Sequence, residues 1–214
     1  MFNKNLAFVD VETTGGRATR DRVTEIAIIT VREGEPVTEW SALVNPQRNI
    51  PAHIQRLTGI SNDMVSCQPT FADIYQQVYD HLADCVFVSH NARFDYGFIK
   101  NEFKRCNITF RASVLCTVKL SRQLFPRYRR HNLDSIMQRF NIGCEARHRA
   151  MGDARVLYEF IDLLERRHDT SRVDNAIKQQ LKSPSLPVNI TDQDIEKLPD
   201  SPGVYLFPDH DGIF

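Results

Sequence analysis

An α/β domain with a mixed five-stranded sheet flanked by helices is predicted by three observations. Three short runs rich in Val, Ile and Phe open the chain, with polar or Gly/Pro stretches between them. Helical stripes then alternate with short apolar runs, the arrangement that places helices against a sheet. The 214 residues are 42% hydrophobic and 25% charged, a balance that buries a core without disulfides or structural metal.

The opening runs, Leu6 to Val11, Val23 to Arg32 and Val37 to Val44, read as an antiparallel meander. Pro69 to Ala83 carries Phe71, Ile74, Val78 and Leu82 at helical spacing, with Thr70 placed to cap its start. Cys85 to Val88 is a short buried strand. Asn91 caps a further helix to about Arg105, with Phe94 and Phe98 four apart on one face. Val114 to Thr117 supplies the fifth strand, and helices follow around Leu133 to Phe140 and Gly152 to Arg167.

Past residue 168 the pattern changes. Ser171 to Leu181 forms one more polar helix, and Ser183, Pro184, Ser185 and Pro187 make a linker. Thr191 and Asp194 form a capping box for a short helix that Pro199 stops, and Pro202 to Phe207 starts a new strand. The expected division is a domain over 1–170, a helix and linker over 171–190, and a separate segment over 191–214 too short to build its own core.

No run approaches the roughly 18 apolar residues of a membrane span, since Asp10 and Glu12 break the opening stretch. No signal peptide or anchor is expected. Five cysteines, odd in number and widely spaced, fit a reduced, cytoplasmic setting.

The net charge of zero conceals a segregation. Residues 1–92 hold 7 basic and 11 acidic side chains (net −4), residues 93–149 hold 13 and 4 (net +9), and residues 150–214 hold 7 and 12 (net −5). The basic block is densest at Arg127, Arg129 and Arg130, with Tyr128 among them and His131 following. Such a run is either a solvated loop or a phosphate-binding surface with an aromatic for stacking.

An acidic set favours the second. Asp10 and Glu12 lie two apart at the end of the first strand, so both carboxylates share a face. Crowded carboxylates raise one another's pKa unless a cation lies between them, and hard divalent cations take oxygen ligands. A bare D-x-E at a strand end is otherwise a pair of solvated acids. Thr13, Thr14 and Gly15 follow at once and offer amide and hydroxyl donors to a terminal nucleotide. Asp95 falls in the first turn of its helix, where the helix dipole alone explains an acid. His90 and Asn91 stand beside it at a strand-to-helix junction, a common location for sites on α/β sheets. His148 and Asp153 are five apart, which places His148 on the approach loop and Asp153 in the first turn of the last helix. Between Arg147 and Arg149 the His could be part of a solvated stretch. It is also the residue type suited to taking a proton from water near neutral pH.

Taken together, Phe8-Val9-Asp10-Val11-Glu12-Thr13-Thr14-Gly15, Ser89-His90-Asn91-Ala92-Arg93-Phe94-Asp95 and His148-Arg149-Ala150-Met151-Gly152-Asp153-Ala154 resemble the three motifs of the DEDDh exonucleases, the family of the bacterial replicative proofreading subunit. The resemblance covers roughly residues 5 to 165 and includes Leu57-Thr58-Gly59-Ile60. It implies a ribonuclease H-like fold, hydrolysis of DNA from its 3′ end to 5′-mononucleotides in proofreading or repair, and two divalent ions, Mg²⁺ or Mn²⁺. By the same resemblance Asp10, Glu12 and Asp153 hold metal, Asp95 acts directly or through water, and His148 is the general base. Thr13, Thr14, Leu57, His90, Asn91 and Phe94 match positions lining the terminal-nucleotide pocket. The partner implied is a single-stranded or frayed 3′ end, DNA before RNA, with a polymerase or repair protein as a further partner and no membrane.

The tail Leu198-Pro199-Asp200-Ser201-Pro202-Gly203-Val204-Tyr205-Leu206-Phe207 is similar to the opening strand of GIY-YIG nucleases of the excision-repair type. Only the first half-motif is present, so no endonuclease activity is expected of these 214 residues. Two other functions fit the same motifs: a member that trims RNA or oligonucleotide ends, and a noncatalytic docking module. The four acids and the His count against the module, because a scaffold has no physical reason to crowd carboxylates.

Overall fold

The computed structural model describes residues 4–33, 37–144, 146–167 and 170–181. Three antiparallel strands come first, β1 (Leu6–Thr13), β2 (Val23–Val31) and β3 (Thr38–Leu43). They are followed by α1 (Ala52–Thr58), α2 (Asn62–Ser66), α3 (Phe71–Leu82), β4 (Val86–Ser89), α4 (Arg93–Arg105) and β5 (Val114–Cys116). The strands β4 and β5 run parallel to β1, giving the mixed order β3-β2-β1-β4-β5. Four helices complete the fold: α5 (Thr117–Leu124), α6 (Leu133–Phe140), α7 (Ala150–Arg167) and α8 (Thr170–Leu181).

The sheet is covered on both faces. On one side Leu6, Phe8 and Ile29 pack against Leu157, Phe160 and Leu164 of α7, with Val173 and Ile177 of α8 completing that layer. On the other, Ala7, Val9, Ile26 and Ile28 meet Phe71 and Val78 of α3 and Phe98 and Phe103 of α4. Every residue of β2 is buried, which explains the apolar stretch Ile26 to Ile29 in place of an apolar/polar alternation. The period of two on β1 then decides where the chemistry goes. Asp10 and Glu12 continue the Leu6/Phe8 face, so both carboxylates emerge where α7 begins.

The five strands and the long helices lie where the sequence places them, within a few residues. Three short helices were not anticipated. The seven and five residues of α1 and α2 span two turns or fewer and carry little periodic signal, and α5, of eight residues, follows β5 without a break. Gly59, at φ +73°, ends α1 in the left-handed region, with its N–H on the Gln55 carbonyl at 2.8 Å. The helix expected to start at Asn91 starts at Arg93, with Asn91 itself left-handed and its carbonyl accepting the Phe94 N–H. The last long helix starts two residues early, at Ala150, because Glu25 of β2 accepts the Ala150 N–H at 3.0 Å. The compact unit extends past residue 170, since Val173, Ala176 and Ile177 of α8 join the α7 core. The segment expected to resemble a GIY-YIG strand lies outside the described residues.

Candidate active site

Two elements converge at the end of β1. Asp10 and Glu12 come from β1, and Asp153 comes from the first turn of α7. One carboxylate oxygen from each lies within 4.8 Å of the other two. A register shift between Glu12 and Thr13 ends the regular β1–β2 pairing at this point. Asp10 and Glu12 are half-buried and Asp153 is buried, 6% exposed. Burial raises the pKa of all three, and mutual repulsion adds to it for Asp10 and Glu12. Glu12 is pushed up to about 8, by burial first and then by Asp153 and Glu25. Asp10 is held well above the ordinary carboxylate range, by burial and then by Asp95.

Asp95 belongs to the same field but not to the same cluster. Its Oδ1 accepts the Val11 N–H at 3.2 Å and its Oδ2 accepts the Ser89 hydroxyl, so the carboxylate joins α4 to β1 and β4. It is 3% exposed, with a pKa raised to about 7 by burial against the opposing pull of those hydrogen bonds. An acid at a helix N-terminus needs only the dipole to explain it, but this one is buried and cross-links two strands.

His148 occupies the loop between α6 and α7. It is exposed and its φ is +59°, an uncommon conformation for a residue with a Cβ. Its backbone N–H faces the Asp153 carboxylate, and its ring lies near enough to Asp134 and Asp153 to act on both electrostatically. The neighbouring residues anchor the loop. Arg149 forms a fork on Glu25, at 3.0 Å through Nε and 2.6 Å through Nη2, and Arg147 bridges Asp134 at 2.8 Å and Asp153. A Cβ on Gly152 would overlap the Ala146 carbonyl oxygen and approach Cys144 Sγ at 3.3 Å. Gly152→Ala is therefore expected to lower stability by about 1–3 kcal/mol in a denaturant melt and to move the loop that presents Arg147 and His148.

A sequence profile of a family described as Exonuclease matches residues 7–161. This chain belongs to the RNase T/DEDDh exonuclease family. A Mycobacterium tuberculosis protein, whose name proposes a bifunctional exonuclease/endonuclease, is 36% identical over 93% of this chain and 33% of its own length. The 3′-5′ exonuclease DinG of Bacillus subtilis is 34% identical over 78% of this chain and 18% of its own. Among solved structures, Escherichia coli exonuclease I in complex with a dT13 oligonucleotide superposes with a TM-score of 0.69 at 17% identity, over 80% of this chain and 43% of that one. The chain thus spans a third or less of these curated relatives. Its five-stranded sheet with flanking helices is the ribonuclease H-like fold of such exonucleases.

Members of the DEDDh family use divalent metal, and the carboxylate cluster suits one. Its donors are hard oxygens, and Asp153 Oδ1 is buried with no hydrogen-bond partner among the described residues. The remaining residues named from the sequence surround this point unevenly. Thr13 and Thr14 are buried, with the Thr13 hydroxyl donating to the Gly15 carbonyl at 2.7 Å and the Thr14 hydroxyl accepting the Arg22 N–H at 3.1 Å. Leu57 is 55% exposed on α1, Asn91 is exposed, and Phe94 is half-buried against Phe98. His90 hydrogen-bonds Thr117 Oγ1 through Nδ1 at 2.9 Å, and its Nε2 is buried with no hydrogen-bond partner of good geometry among the described residues, although the His131 backbone acts on the ring. Burial and then Arg147 lower the His90 pKa to about 4, so this ring is neutral at pH 7.

Arg127, Arg129 and Arg130 are exposed on the loop before α6. Tyr128 is 52% exposed, and the Arg139 guanidinium lies 3.7 Å from its ring centroid. Together with Ser135 and Gln138, Tyr128, Arg129, Arg130 and Arg139 line a groove of 490 Å³. Arg147, Asp134, Glu25, Ser89 and Arg139 were not singled out as site residues from the sequence. The one available signal was the Arg flanks of His148, which read equally well as a solvated stretch.

Proposed function

We propose that this domain hydrolyses DNA stepwise from the 3′ end to 5′-mononucleotides, in proofreading or repair. The observation that carries the proposal is the three-carboxylate cluster of Asp10, Glu12 and Asp153 beside an exposed His148. The likeness to the 3′-5′ exonuclease DinG of Bacillus subtilis supports the polarity, and the oligonucleotide in the exonuclease I complex supports DNA as the substrate.

Asp10, Glu12 and Asp153 would hold two divalent ions, Mg²⁺ or Mn²⁺. When bound, these ions supply Lewis acidity to the attacking water and to the leaving 3′ oxygen. His148 Nδ1 or Nε2 takes the proton from that water, and its loop position gives it reach over the cluster. Asp95, committed to Val11 and Ser89, fixes the end of β1 and acts through water. Thr13, Thr14, Leu57, His90, Asn91 and Phe94 line the pocket for the terminal nucleotide, and His90 Nε2 is available to the substrate. Arg127, Arg129 and Arg130 guide the strand upstream along the groove under α6, where Tyr128 adds an aromatic surface. The tail from Leu198 opens a second nuclease module, a reading supported by the endonuclease half of the Mycobacterium relative's name.

A time course on matched 5′-labelled single-stranded DNA and RNA, with Mg²⁺ or Mn²⁺ and an EDTA control, tests the proposal. The expected result is a ladder shortening from the 3′ end, faster on DNA and absent in EDTA. A faster RNA ladder would reassign the substrate. No ladder on either strand would favour a docking module.

A further inference from the structure

We propose that Arg147 is the resident counter-cation of the carboxylate cluster, that divalent metal displaces it from Asp153 onto Asp134, and that this exchange sets the metal concentration at which the site fills. The inference rests on the metal-centre reading above. The Arg147 guanidinium stands between two acids of different kinds. Asp153 belongs to the cluster, with a side chain 8% exposed, whereas Asp134 on α6 is 66% exposed and outside it. Nη1 pairs with Asp153 Oδ2 while Nε donates to Asp134 Oδ1 at 2.8 Å. Arg147 is also the cation whose charge opposes the repulsion at both Asp10 and Glu12.

Three carboxylates within 4.8 Å of one another repel unless protons or nearby positive charge offset them, and Arg147 supplies such charge at Asp153. A guanidinium stays charged at any pH the fold survives, and its fork satisfies two acids at once. A divalent ion among Asp10, Glu12 and Asp153 brings two positive charges against that guanidinium. Arg147 then yields Asp153 and keeps Asp134, which is free to hold it because the ion does not need Asp134. Arg147 therefore opposes metal binding, and Asp134 relieves that opposition by drawing Arg147 outward.

The two residues are accordingly expected to act with opposite signs. In calorimetric titration of the 214-residue chain with Mn²⁺ alone, Arg147→Gln should bind roughly tenfold more tightly than wild type, in the range of coupling between charges in contact. Metal-free Arg147→Gln should also melt at lower temperature and gain more from Mn²⁺. Asp134→Asn should bind several-fold more weakly, because Arg147 then turns wholly to the cluster. The double variant should bind within about twofold of Arg147→Gln, because Asp134 acts through Arg147. Asp134→Asn, at an exposed side chain, carries the test if the Arg147→Gln variant fails to fold, and unchanged Mn²⁺ affinity there would count against the hand-over. Unchanged Mn²⁺ affinity in Arg147→Gln would overturn the inference and leave the metal centre standing. Strictly additive effects in the double variant would also overturn it, since a general field needs no hand-over. A wild type that binds no Mn²⁺ would overturn both readings.

Discussion

Asp10→Ala is expected to abolish Mn²⁺ binding in calorimetry and to cut hydrolysis of a 3′ end by on the order of a thousandfold or more. Metal stabilisation of a phosphoryl transition state contributes several kcal/mol, at about 1.4 kcal/mol per decade of rate. Asp10 is the residue to remove because Asp95, Asp153 and Glu12 all raise its pKa, so it is in the field of every other acid of the site. Its removal leaves Glu12 and Asp153 without the carboxylate they both adjoin. The pH dependence has a definite sign. Glu12, with a pKa near 8, is largely protonated in the metal-free protein at neutral pH, so an incoming ion must expel a proton. Mn²⁺ affinity should therefore rise as pH increases from 6 to 8 and level off above Glu12's value. Affinity that is flat across this window would show that Glu12 gives up no proton when the ion binds. An Asp10→Ala protein with undiminished affinity would show that the cluster does not hold the ion.

The sequence exposes this site because its metal-facing residues obey local rules. A period of two on β1 is enough to put Asp10 and Glu12 on one face, and the helix that starts near Gly152 is enough to put Asp153 in a first turn. The loop position of His148 follows from its five-residue offset. Local rules do not reach Asp95, which they assign to a helix dipole although its oxygens bind Val11 and Ser89, 84 and 6 residues away. They reach the anchors of the His148 loop still less. Arg149 finds Glu25 across 124 positions, and Arg147 finds Asp134 on another helix. Nothing in the local pattern distinguishes these arginines from solvated ones, because their meaning lies in which strand and helix the fold brings beside them. The apolar face of α8 is a similar case. Val173, Ala176 and Ile177 are too few to outweigh their polar neighbours in the sequence, and only the finished sheet gives them a surface to cover.

His148→Ala should slow turnover by about 10²- to 10⁴-fold, the usual contribution of a positioned general base, while leaving Mn²⁺ affinity near wild type. The separation follows from geometry. His148 contributes no ligand atom to the cluster; beside the electrostatic influence of its ring it gives Asp153 a backbone N–H, which alanine retains. The left-handed φ of +59° is available to alanine at a cost, but Glu25 and Asp134 hold the loop through Arg149 and Arg147 on either side, so the backbone should keep its course. The exposed imidazole is the part that is lost. The paired measurement is calorimetry with Mn²⁺ beside single-turnover rates on one oligonucleotide. Intact metal binding with slow turnover assigns His148 to the proton, whereas metal loss equal to that of Asp10→Ala would make it a ligand or a structural prop. Alkaline buffer offers a further discrimination. If His148 removes the proton, raising the pH supplies hydroxide and should recover part of the His148→Ala rate, and no such recovery is expected for Asp10→Ala, which has lost the metal itself.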